Sequence, residues 1–275
     1  MRFLRSLSPR NEPPSQETGR FEQWLFSLAV ATARRGQVPA HVAYILDGNR
    51  RWGRRRGLSL RNTYLAGWGQ LKKYVELCTR CGVRAMSLYV FSVENFKRSD
   101  EEVDTILDIV VGGLDELVQL AHDLDASIRI CGQRELISPR VLERLEGAAE
   151  STRHNQSAIV NICFAYASTV EMRTAIQCSV RERLAQEATA SDTTFDTVTA
   201  LDRNMYTVDS PPLDLLIRTG STHRLSDFLL WQCHQDTSIV FVKKAWPELS
   251  IPRVLAILIE WRQNKSPPPP TISKA

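Results

Sequence analysis

The 275-residue sequence has no uninterrupted apolar run near the roughly 18 residues a spanning helix requires, which argues against an integral membrane protein. No secretory apolar segment opens it, which predicts reduced thiols in a cytosol-facing protein. The six cysteines, at 78, 81, 131, 163, 178 and 233, are scattered and mostly lie in apolar stretches. Cys78 and Cys81 form a CTRC pair, but no second CxxC and no nearby histidine pair completes a tetrahedral set. That disfavours a zinc or redox site and leaves two thiols near the end of a core helix. No internal repeat is visible. The net charge is only +4, so any strong positive field must be local.

What is present suffices for a sizeable core, with 43% hydrophobic residues spread over most of the chain. Residues 1–20 are polar and proline-bearing and read as disordered, with an arginine-containing start that is a weak transit-peptide candidate. An amphipathic helix is expected over 21–37, where Phe21, Trp24, Leu25 and Leu28 recur at helical spacing ahead of Arg34 and Arg35. Its aromatic stripe suits a membrane surface and plain packing on the domain equally.

From residue 38 to 262 strands alternate with helices. Strand-like runs fall at 41–46, 85–92, 127–132, 158–167, 213–218 and 238–242, with a further apolar run, FLLWQ, at 228–232. Helical patterns fall at 64–81, 100–124, 138–153, 169–188 and 195–204. This alternation predicts an α/β fold, one domain with a largely parallel sheet flanked by helices. Residues 263–275 form a proline-rich tail whose four consecutive prolines cannot continue a helix.

In parallel α/β sheets ligands bind beyond the carboxyl ends of the strands. Three loops there are polar in the same way: DGNRRW after 41–46, VENFKR after 85–92 and TGSTHR after 213–218, with Arg218 at that strand's end. Converging arginines beside a glycine turn suit phosphate or diphosphate, because guanidinium forks grip such oxygens in bidentate fashion. A carboxylate there repels the anion unless a cation bridges them, which makes Asp47 a candidate Mg²⁺ ligand. Singly, each loop also reads as ordinary turn chemistry, and Glu94 as a surface partner of Arg98 four residues on. The run NRRWGRRRG, five arginines within seven positions, also raises nucleic-acid binding. Against that reading, it abuts an apolar strand and Asp47, and no nucleic-acid module surrounds it.

HVAYILDGNRRW, SLYVFSVENFKRS, VNICFAYASTVEM, PPLDLLIRTGSTHRLSDFLLWQ and WPEL stand in this order between His41 and Trp261. In these blocks the chain resembles the cis-prenyltransferases, the undecaprenyl and dehydrodolichyl diphosphate synthase family, and within it the eukaryotic dehydrodolichyl diphosphate synthase catalytic subunit. The resemblance implies a parallel α/β fold with a hydrophobic product tunnel. It also implies Mg²⁺-dependent Z-condensation of isopentenyl diphosphate onto an allylic diphosphate such as farnesyl diphosphate, repeated to a long polyprenyl diphosphate, the dolichol precursor for protein glycosylation.

By that resemblance Asp47 is the metal-linked catalytic aspartate. Gly48, Asn49, Arg50, Arg51 and Trp52 belong to the loop that cradles the allylic diphosphate. In the second block, Asn95 assists proton loss and Ser92, Glu94 and Arg98 contact substrate; Arg218, Arg224 and Ser226 grip isopentenyl diphosphate. The resemblance further implies the cytoplasmic face of the endoplasmic reticulum, with peripheral membrane contact, and no nucleic acid.

The departures are specific. Thr63-Tyr64 stands where the family commonly has Gly-His, and tyrosine donates a hydrogen bond but carries no imidazolium charge. Leu60 occupies an arginine position, with Arg61 adjacent as a substitute. Gly220-Ser221-Thr222 replaces an SGE or GGE, and Thr237, beside Asp236, takes a second acidic position. The sequence ends PPPPTISKA, without the Arg-x-Gly end of single-subunit and accessory members. This predicts an accessory partner of the same fold that supplies it. The rival reading within the family is a catalytically weak binding or scaffold subunit.

Overall fold

The computed structural model describes residues 16–188, 195–234 and 236–265. A first helix, α1 (Gln16–Arg34), leads into β1 (His41–Ile45), then α2 (Asn49–Arg55), α3 (Leu60–Cys81) and β2 (Ala85–Ser92). Next come α4 (Asp100–Asp123), β3 (Ala126–Cys131), α5 (Pro139–Ser151), β4 (Ala158–Tyr166) and α6 (Ser168–Ala188). The chain closes with α7 (Thr197–Arg203), β5 (Leu215–Arg218), β6 (Ser238–Phe241) and α8 (Ile251–Asn264).

The six strands form one sheet in the order β3-β4-β2-β1-β5-β6, and every pairing is parallel. This is the expected α/β fold. Central β1 is buried at all five positions, as a strand covered on both faces must be, whereas edge strand β6 alternates between half-buried and exposed. His41 anchors the start of β1, its ring bonded to Ser87 Oγ at 2.8 Å and to the Pro211 carbonyl at 2.9 Å. Burial pushes its pKa down to about 4, so the ring stays neutral at physiological pH.

Helix ends follow local chemistry. Ser59 caps α3 by accepting the Asn62 N–H at 3.2 Å, and Gly82, at φ 102°, ends it in the left-handed conformation. Asp100, Glu101 and Glu102 sit in the first turn of α4, where the helix dipole favours negative charge. Pro139 opens α5.

Several expectations are corrected. Residues 16–20, read as disordered, belong to α1, which starts before the expected 21; the rest of that segment lies outside the described residues. The apolar run at 228–232 forms bends and turns and no strand, with Phe228 and Leu229 buried in a small second core beside Ile45 and Leu216. The polar run at 49–55 is helical, and α8, absent from the periodicity reading, extends through Asn264; residues 266–275 lie outside the described residues. Helix α1 packs Phe26, Val30 and Ala33 against the main core while Trp24 and Leu28 face outward, 57% and 46% exposed. Among the described residues no helix is long and apolar enough to cross a membrane. Cys78 and Cys81 are buried free thiols, and no cluster of three or more His, Cys, Asp or Glu residues suited to a metal occurs among the described residues.

Candidate active site

Because β1 lies between β2 and β5, the loops leaving those three strands stand side by side, and sheet order alone brings the three arginine-bearing segments together. They surround a cavity of about 960 Å³. Gly48 turns the chain from β1 into α2 at φ 100°, and a side chain there would meet Ala245 Cβ at 2.8 Å. That turn projects Asp47 into the cavity mouth.

Asp47 is held from three sides. Arg218 Nη2 donates to Oδ2 at 2.9 Å, Arg51 Nη2 to Oδ1 at 3.2 Å, and the Gly48 N–H to Oδ1 at 2.6 Å. Burial alone would raise its pKa, but the Arg218 guanidinium, with help from Thr222 and Arg51, holds it below the usual carboxylate range. Arg218 is 4% exposed. Its Nη1 donates to Ser226 Oγ at 2.6 Å and to the Arg224 carbonyl, and its Nε is buried with no partner. Arg224 Nε also donates to Ser226 Oγ, at 3.2 Å. An unmet guanidinium N–H in a pocket wall is a donor awaiting an acceptor.

The opposite wall is built on Glu102. Its Oε1 accepts the Tyr64 hydroxyl at 2.6 Å and Arg98 Nη1 at 2.6 Å, while Oε2 lies 3.4 Å from Arg50 Nη1. Arg98 also donates to the Tyr64 oxygen at 2.9 Å. Burial works to raise the Glu102 pKa, yet the Tyr64 hydroxyl and the two arginines leave it lowered. Burial, reinforced by Glu102, pushes the Tyr64 phenol up, so it stays protonated.

Thus Asp47, Gly48, Asn49, Arg50, Arg51, Ser92, Glu94, Asn95, Arg98, Arg218, Arg224 and Ser226 all line one cavity. Trp52 does not: its ring is buried under Arg56, whose guanidinium lies 5.2 Å from the ring centroid. Asn95 Oδ1 accepts the Ser92 N–H at 3.0 Å, which fixes the turn after β2. Glu94 pairs with Lys97 at 2.8 Å rather than with Arg98, because the five residues after β2 form a tight 3₁₀ turn that favours the i,i+3 neighbour. Leu60 and Arg61 stay out of the cavity, so Arg61 supplies no replacement there. Thr237 is tied instead to the Leu213 and Gln232 carbonyls, at 2.7 and 3.1 Å.

Glu102 is a site residue that the sequence alone does not single out. The available signal was its spacing of four from Arg98. Of the trailing arginines, Arg54 lines the cavity, and Arg55 and Arg56 pair with Glu248 at 3.2 and 3.5 Å. Past the charged mouth the lining turns apolar through Trp68, Leu71, Ile106, Ile109 and Val110.

A charged mouth over an apolar slot, on a parallel α/β sheet, defines a site for an anionic head with a hydrocarbon tail. The family model described as putative undecaprenyl diphosphate synthase matches residues 45–267, and the chain belongs to this prenyltransferase family. A dehydrodolichyl diphosphate synthase complex subunit of Schizosaccharomyces pombe is 38% identical over 93% of this chain and 96% of its own length. The tritrans,polycis-undecaprenyl-diphosphate synthase (geranylgeranyl-diphosphate specific) of Pyrococcus furiosus is 33% identical over 89% and 90% of the two chains. In fold, the chain resembles lavandulyl diphosphate synthase from Lavandula x intermedia, solved with dimethylallyl diphosphate, at a TM-score of 0.74. That likeness spans 82% of this chain and 95% of the other at 23% identity. Like its homologues, the chain is a cis-prenyltransferase.

Proposed function

We propose that this chain is the catalytic subunit of a dehydrodolichyl diphosphate synthase, extending an allylic diphosphate such as farnesyl diphosphate with isopentenyl diphosphate into a long Z-polyprenyl diphosphate. The observation that carries the reading is Asp47 held between Arg51 and Arg218 at the mouth of a cavity whose far part is apolar. Its relatives include proteins named as complex subunits, which supports an accessory partner of the same fold.

The residues fit Mg²⁺. Asp47 is an ionised carboxylate, 29% exposed toward the cavity, and magnesium is commonly held by one or two carboxylates together with substrate phosphate oxygens. Asp47 would hold it, and the ion would supply charge neutralisation at the departing diphosphate. Arg50, Arg51, Arg218 and Arg224 supply fixed positive charge around diphosphate oxygens. That charge stabilises what develops as the allylic C–O bond breaks, without reorganisation of solvent. Ser226, bonded to Arg218 and Arg224, keeps both guanidiniums aimed into the mouth. Asn95, its carboxamide fixed by the Ser92 N–H, lines the same cavity, from which it would assist proton loss from the condensing unit. The apolar slot takes the tail and excludes water. Trp24 and Leu28, exposed on α1, support peripheral contact with the cytoplasmic face of the endoplasmic reticulum membrane, where a lipid product is delivered.

The test is reconstitution of the full chain with a candidate accessory subunit, farnesyl diphosphate, isopentenyl diphosphate and Mg²⁺. Long Z-products that vanish with Asp47→Ala support the proposal, and unchanged turnover in that variant removes the metal role. Full synthesis by the chain alone removes the need for a partner. A complex whose products are indifferent to both Asp47 and Arg218 makes this chain a scaffold.

A further inference from the structure

Below the arginines the cavity narrows into a slot between α3 and α4, walled by Leu71 on one helix and by Ile106, Ile109 and Val110 on the other. Both helices start at the charged mouth and run away from it, so position along α4 measures depth. Gly113 stands about 16 Å beyond Glu102 at the helical rise per residue.

Trp68 crosses the slot at that depth. It lines the cavity at 8% exposure, and its indole edge occupies the notch left by the missing side chain of Gly113: a Cβ there would fall 2.0 Å from Nε1. Neighbouring Gly112 faces open space, so the notch belongs to the one position that Trp68 meets. Deeper still, Leu114 and Leu117 of α4 and Val75 and Cys78 of α3 are buried and line no part of the cavity. The lining therefore ends with Trp68 and Leu71 on α3 and Val110 on α4, where the indole edge meets Gly113.

The stop is weakly held. Trp68 Nε1 is buried with no hydrogen-bond partner. Swinging the ring out of the notch gives up no hydrogen bond at that atom, while the surrounding aliphatic walls accept a hydrocarbon chain in its place.

On the function proposed above, each condensation lengthens the prenyl tail by one isoprene unit while the diphosphate end stays at the mouth, so the tail is driven down the slot. We infer that Trp68, seated against Gly113, is the residue that determines how far the product grows. A tail reaching Ile109 and Val110 meets the indole, and elongation continues only as the ring leaves its notch.

The experiment uses the full chain with its accessory subunit and the variants Trp68→Ala, Trp68→Phe and Gly113→Ala. Products from farnesyl diphosphate and isopentenyl diphosphate are sized by mass spectrometry. Trp68→Ala shifts the distribution longer by one or more isoprene units, Trp68→Phe by less, and Gly113→Ala, which fills the notch and unseats the indole, shifts it longer as well. Alanine favours a helix over glycine, so Gly113→Ala decides the matter if Trp68→Ala fails to fold. Wild-type lengths from the folded variants overturn the inference.

A second arm needs no turnover: competition binding of unreactive diphosphate analogues bearing a farnesyl tail and a tail twice as long. Trp68→Ala raises the long-to-short affinity ratio about tenfold. An unchanged ratio rejects the role of Trp68. A wild-type complex that makes no polyprenyl product defeats the proposed function instead, and leaves this ratio to decide the role of Trp68.

Discussion

The two walls of the cavity mouth use the same ingredients, a carboxylate and two arginines, to opposite ends. On the sheet side Asp47 is 29% exposed at the cavity mouth and meets Arg51 through one carboxylate oxygen and Arg218 through the other. On the helix side Glu102 is 10% exposed, with Oε1 shared between a phenol and Arg98 and Oε2 turned to Arg50. Exposure separates the roles: the first carboxylate is available for exchange with ligand, while the second is committed to aligning Arg50 and Arg98. Breaking each wall in turn should give different kinetic signatures.

The largest effect is expected from Asp47→Asn. It removes the negative charge between Arg51 and Arg218, leaving their alignment to neutral bonds and the cation without its ligand. Turnover falls by at least about a hundredfold, the scale of losing one electrostatic element of a transition-state site. The check is steady-state product formation across a Mg²⁺ series. A loss fully restored by higher Mg²⁺ would instead assign Asp47 to metal affinity alone.

Glu102→Gln comes next and should differ in kind. The amide still accepts one hydrogen bond but leaves Arg50 and Arg98 without a counter-charge. KM for the diphosphate substrate rises about tenfold with a smaller change in kcat, the pattern of lost ground-state positioning. Equal losses in kcat and kcat/KM would place Glu102 in the transition-state machinery beside Asp47. Both carboxylates also tie stability to pH. Their folded pKa values lie below the ordinary ones, so their stabilisation is present above about pH 4 and is lost as pH falls through the folded values. The Asp47→Asn, Glu102→Gln double variant should therefore show a flatter acid-unfolding profile below about pH 4, measured by circular dichroism.

The sheet-side wall was the more legible in sequence, for a physical reason. Asp47, Arg218, Arg224 and Ser226 lie at or just past strand ends, and a parallel sheet fixes which strand ends are neighbours once its order is known. The fold itself was readable from β1 and β4, short and mostly apolar runs of the kind a strand buried on both faces requires. The helix-side wall depends instead on how α3 meets α4, and a helical period says which face is buried without saying what it faces. So Tyr64 reads in sequence only as a missing histidine, and Glu102 is not singled out at all. Trp52 shows the converse: adjacency in the motif placed it with the substrate loop, whereas α2 turns its ring away from the cavity.

Tyr64 gives the smallest and sharpest test of the comparison. Its hydroxyl donates to Glu102 and accepts from Arg98, so it completes the carboxylate's shell without adding charge. Tyr64→Phe leaves Arg98 and Arg50 on Glu102 but removes two hydrogen bonds to charged groups, each worth about 1.5–3 kcal/mol before Arg98 and Glu102 close on each other. A melting temperature lower by several degrees, at about 2–4 °C per kcal/mol, is the expected reading by calorimetry, with activity reduced only a few-fold. Tyr64→His restores the side chain common in the family and introduces a group whose ordinary pKa is about 6.5. Beside Arg98 and Arg50 its protonation is disfavoured, and beside Glu102 it is favoured, so the pH–activity profile gains a limb between about pH 5 and 8 that the phenol lacks. A Tyr64→His profile that overlays the wild type would show that nothing at this position exchanges charge with the diphosphate, and that the helix-side wall works by alignment alone.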